Sequence, residues 1–67
     1  MYGLTYYPDE RDEIAHRRHL ARACEATAAD YLATDELDQC DALLEQARVH
    51  RRRARRLERR LASQEAA

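Results

Sequence analysis

The chain has 67 residues, 45 % of them hydrophobic, with 13 acidic residues, 12 arginines, no lysine and a formal net charge of −1. A chain this short makes one small domain with a poor ratio of core to surface, and alanine supplies 13 of the apolar residues, so the core must come from eight Leu, one Ile, one Val, one Met, four Tyr and two Cys. One Gly, one Pro, no Phe and no Trp suit long helices and disfavour a sheet, and no apolar run approaches the ~18 residues of a membrane span.

The opening MYGLTYYP has no basic stretch followed by an apolar one, so it does not read as a secretory signal. The expected setting is cytoplasmic, where two cysteines stay reduced. Residues 1–8 are expected to form an extended arm ahead of a helical hairpin domain at 9–67. Tyr2, Leu4 and Tyr6 alternate and would share one face of that arm. They either cover the open end of the helices or dock a partner through aromatic anchors.

YYPDERDE then reads as a helix start. Pro8 suits the first turn, and Asp9, Glu10, Asp12 and Glu13 suit the positive end of the helix dipole. An apolar stripe follows through Ile14, Ala21, Cys24, Ala28 and Tyr31, with Leu20 and Leu32 at its edges. Arg17 interrupts it, its stem lying over the seam while its head reaches water. A second stripe runs through Cys40, Leu43, Ala47, His50, Ala54, Leu57 and Leu61 in steps of three and four, flanked by Leu37 and Leu44.

The two stripes are out of step by two residues, or roughly 200° around one continuous helix. A turn near Thr34–Asp35 reconciles them, with Thr34 capping the second helix and Asp35 and Glu36 in its first turn, although no glycine stands there. The expected fold is all-α, an antiparallel two-helix hairpin with helices roughly at 8–33 and 35–63. Its Ala-rich seams bury little, which favours a homodimer closing into a four-helix bundle. The alternative is an uninterrupted coiled coil of about 55 residues.

Charge is unevenly spread. Residues 1–45 carry 4 Arg against 11 acids, and residues 46–67 carry 8 Arg against 2 acids. Folding the chain near residue 33 or 34 lays Asp9–Glu13 beside positions 54–58, inside the run RRRARRLERR at 51–60. A helical wheel puts Arg51, Arg53 and Arg60 on the flanks, within reach of the first helix. Arg48, Arg52, Arg55, Arg56 and Arg59 point away, with Glu45 and Glu58 offsetting Arg48 and Arg55 one turn off.

That outward stripe, with Tyr2, Leu4 and Tyr6, is the candidate partner-binding surface. An unidentified protein is the expected partner besides a second copy of the chain. Nucleic acid held by its phosphate backbone is the alternative. No Phe, Tyr, Trp, Asn or Gln lies between positions 47 and 63 to stack on or read a base, and nucleic-acid modules are usually basic overall.

Cys24 and Cys40 are expected as reduced seam thiols, with a disulfide as the alternative. Asp12, His16, His19 and His50 offer nitrogen and oxygen donors, but two histidines one turn apart are a weak metal pattern. No metal or cofactor is expected. Charging His50 below about pH 6.5 would oppose its burial and make the assembly acid-sensitive. No nucleophile–base pair or glycine-rich loop is legible, so catalysis is not expected. The chain reads as a small helical protein that self-associates and acts by protein–protein contact in an accessory or regulatory role. A nucleic-acid-binding regulator is the second reading.

Overall fold

The computed structural model describes residues 9–66. Two helices make up that span, α1 (Glu10–Ala33) and α2 (Leu37–Ala66), and they lie antiparallel: Glu10 bonds Arg60 near the open end, and Cys24 meets Gln46 nearer the turn. The hairpin is therefore formed and the uninterrupted helix is not. The arm carrying Tyr2, Leu4 and Tyr6, together with Pro8, lies outside the described residues.

α1 begins two residues later than the pattern suggested, because Asp9 is its cap. Asp9 is extended, with φ −151° and ψ 176°, and its Oδ1 accepts the Asp12 N–H at 2.9 Å, satisfying one of the amides that a helix start leaves unpaired. Glu10, Asp12 and Glu13 occupy the first turn, where the helix dipole favours negative charge.

The turn corrects the expectation for Thr34. It closes α1 rather than opening α2: its hydroxyl lies within hydrogen-bonding distance of the Asp30 and Tyr31 carbonyls and at 2.7 Å from Glu36 Oε2. Asp35 then takes a left-handed conformation, φ 62°. The Glu36 N–H reaches back to the Tyr31 carbonyl at 2.9 Å and the Asp35 N–H to the Leu32 carbonyl at 3.1 Å. This pair of bonds is the usual C-terminal helix stop. Aspartate fills the position where glycine would be commonest, because its short side chain tolerates that region better than most. Glu36 accepts the Cys40 N–H at 3.1 Å, so α2 starts at Leu37 and runs to Ala66, later at both ends than the expected 35–63, with Asp38 as the acid of its first turn.

The helices meet along one seam. Ile14, Ala21 and Ala28 of α1 and Cys40, Ala47, Ala54 and Leu57 of α2 are buried. Ile14, Ala54 and Leu57 form the core cluster, with Leu61 packed on its edge. The other stripe residues, Cys24, Tyr31, Leu43, His50 and Leu61, are only half-buried. Four of the seven buried residues are alanine, which brings the two backbones close at the cost of little apolar burial. A lone helix pair leaves most of each helix facing outward: Leu32 and Leu37 beside the turn are more than half exposed. No helix in the described span is long and apolar enough to cross a membrane.

Candidate functional site

The arginines divide by which way the seam turns them. Arg51, Arg53 and Arg60, expected on the flanks, do reach α1. Arg51 Nη2 donates to Glu25 Oε1 at 2.6 Å, Arg53 Nε to Glu13 Oε2 at 3.2 Å and Arg60 Nη2 to Glu10 Oε1 at 2.8 Å. The pairs do not share one offset: Glu10–Arg60 and Glu25–Arg51 lie further toward the C-terminus than the expected alignment, whereas Glu13–Arg53 keeps to it.

One edge of the hairpin carries a feature that the sequence reading missed. Arg11 pairs with Glu65, Arg18 with Glu58 and Arg51 with Glu25. The rungs recur every seven residues on both helices, the spacing that returns a helix to nearly the same face. That common spacing of 11, 18, 25 and of 51, 58, 65 was the available signal. Glu58 is thereby engaged across the seam and does not offset Arg55, which corrects the expected one-turn pair.

The opposite edge holds a tighter group. The Glu13 carboxylate, 13 % exposed, accepts from Arg53 and, at 3.3 Å, from Arg17 of its own helix. Burial raises the carboxyl pKa, but the two guanidiniums outweigh it and hold Glu13 below its ordinary value. Arg17 Nη1 lies 3.1 Å from His50 Nδ1. A guanidinium can only donate, so this contact is a hydrogen bond only in the neutral ring that carries its proton on Nε2. Burial first, then the positive charges of Arg17 and His16, push the His50 pKa below its ordinary value. The Arg17 head, expected to reach water, is instead held between Glu13 and His50.

What remains points outward. Arg48 and Arg52 share Glu45, at 3.1 and 3.5 Å. Arg55, Arg56 and Arg59 have no carboxylate partner among the described residues. With Arg52 they line a shallow, open concavity on the back of α2. Asp38 and Asp41, exposed near the other end of the same helix, also lack a cationic partner among the described residues. The back of α2 is therefore a helix face with unused charge of both signs.

The remaining candidates are dispersed. Cys24 and Cys40 are both free, and the Cys24 thiol donates to Gln46 Oε1 at 3.8 Å. Asp12 and His19 are exposed, whereas His16 and His50 are half-buried. No group of three or more His, Cys, Asp or Glu side chains arranged to hold a metal ion occurs among the described residues. No protein-family model matches the chain, and no curated protein or solved structure matches it either.

Proposed function

We propose that this is a cytoplasmic, non-enzymatic helical protein that self-associates and works by binding another protein, in an accessory or regulatory role. The observation that carries the reading is the division of the arginines. Those that can reach α1 are committed to it, while Arg52, Arg55, Arg56 and Arg59 form a contiguous exposed surface with little to do inside the hairpin. Charged surfaces of this kind set partner choice and encounter rate more than raw affinity. Self-association is supported by the thin seam: four buried alanines, Cys40, Ile14 and Leu57 are a slight core for a free-standing domain.

A tagged pull-down with and without nuclease tests the reading. Co-purifying protein that survives nuclease treatment supports it, and material lost on treatment refutes it. The second reading, a nucleic-acid-binding regulator, draws on the concavity lined by Arg52, Arg55, Arg56 and Arg59. If that reading holds, replacing Arg52, Arg56 and Arg59 with Gln abolishes retention of nucleic acid, and wild-type affinity falls with salt at a log–log slope of about −0.9 per duplex phosphate contacted.

A further inference from the structure

We propose that the back of α2 is a self-complementary docking face for a second copy of this chain, two α2 helices lying antiparallel about a two-fold axis near Val49. The inference rests on the self-association reading and names its surface.

Asp38, Asp41, Glu45, Val49, Arg52, Arg56 and Arg59 follow one another in steps of three and four, so they share one face of α2. All seven are exposed, on the side away from the buried Cys40, Ala47, Ala54 and Leu57. The stripe is charge-inverted about its middle: three acids precede Val49 and three arginines follow it. Turned antiparallel on a second copy, it sets Asp38 against Arg59, Asp41 against Arg56 and Glu45 against Arg52, each contact made twice by symmetry. An isologous two-fold interface requires this kind of self-match.

The hairpin leaves the right groups unused. Asp38, Asp41, Arg56 and Arg59 have no ion partner among the described residues, whereas the arginines on the flanks are bonded across to α1. Only the central rung, Glu45 with Arg52, is already joined within the helix, at 3.5 Å. Val49 is 47 % exposed amid charged neighbours, and on the axis it would cover its own symmetry mate. An acidic protein surface on this stripe would meet the arginines but be repelled by Asp38 and Asp41, so the other protein of the proposed function is left to the flanking exposed arginines, Arg48 and Arg55. A phosphate backbone following the helix would meet the same repulsion. A second copy satisfies both halves.

The test is sedimentation equilibrium of the full chain at low and high salt, with two single charge reversals, Asp41→Arg and Arg56→Asp, alone and mixed. Contacts between exposed charges are screened over about 8 Å at physiological salt and about 3 Å at 1 M, so the wild-type dimer should weaken steeply between those conditions. Each variant alone places like charges together at two symmetric contacts, and its dimer should weaken roughly tenfold or more. Mixed in equal amounts, the two variants restore opposite charges at both contacts and should associate about as tightly as wild type. Helical circular dichroism confirms that each variant is folded, and recovery in the mixture shows the same. A wild-type dimer that neither reversal weakens, with no gain on mixing, would leave self-association standing and overturn this face. A wild-type monomer under all conditions would remove the self-association reading and this inference with it, as would a monomer that binds duplex DNA through Arg56.

Discussion

Among the described residues Leu57 is the largest fully buried side chain, 1 % exposed, and sits with Ile14 and Ala54 in the core cluster. Leu57→Ala removes three carbons, worth about 0.8 kcal/mol each, or about 2.4 kcal/mol before any cavity forms. Buried leucine truncations span about 2–5 kcal/mol. A two-helix seam can close partly over the gap, so the lower end of that range applies, about 2–3 kcal/mol. Urea titration followed by helical circular dichroism at fixed protein concentration should show that loss, or show the variant largely unfolded without denaturant. Leu43→Ala serves as the internal comparison, because Leu43 is only half-buried and should cost less. A Leu57→Ala midpoint within about 0.5 kcal/mol of wild type would refute the placement of the core.

Further outcomes follow from the edges and the turn. Glu13→Gln should cost about 1 kcal/mol, more than Arg53→Gln or Arg60→Gln, each of which should cost less than about 1 kcal/mol, because Glu13 answers two arginines while each arginine on that edge is more exposed; a denaturation series comparing the three checks the order. His50 titrates lower in the fold than in the unfolded chain, so its contribution to stability is complete above about pH 6.5 and is lost as pH falls toward and through the folded pKa. Denaturation midpoints between pH 7.5 and 5 should therefore decline, and His50→Gln should flatten that decline. Asp35→Gly should raise stability by up to about 1 kcal/mol in thermal melts, because φ 62° is free of strain for glycine and only tolerated by aspartate.

Hydrophobic spacing made the two helices and their seam legible in the sequence. The two-residue mismatch between the stripes located the break, since no straight helix could bury both. The turn was harder to read. Thr34 belongs to a residue type that caps helix starts, and only the pair of backbone bonds to Tyr31 and Leu32 shows that it closes α1 instead. A left-handed aspartate leaves no mark as plain as a glycine. The flank assignments of Arg51, Arg53 and Arg60 were readable from angle alone. The engagement of Glu58 by Arg18 depends on register across the seam, and a displacement of a few residues decides between partners on opposite helices.

The heptad spacing of the ladder has a consequence for how the two helices find their alignment. The buried small residues also recur every seven positions, Ala21 and Ala28 on α1 and Cys40, Ala47 and Ala54 on α2. Sliding one helix by two turns would therefore set small residues on small residues again, so that, apart from the Ile14–Leu57 end, the seam alone would not distinguish the shifted alignment. The ion pairs break that degeneracy because the third rung reverses polarity, Glu25 on α1 facing Arg51 where Arg11 and Arg18 face glutamates. A two-turn slip in one direction brings Arg18 against Arg51, and a slip in the other brings Glu25 against Glu58. Each displacement meets like charges, so the ladder selects one alignment that an alanine seam leaves open, and its weak individual contacts act by excluding neighbouring arrangements rather than by adding to stability.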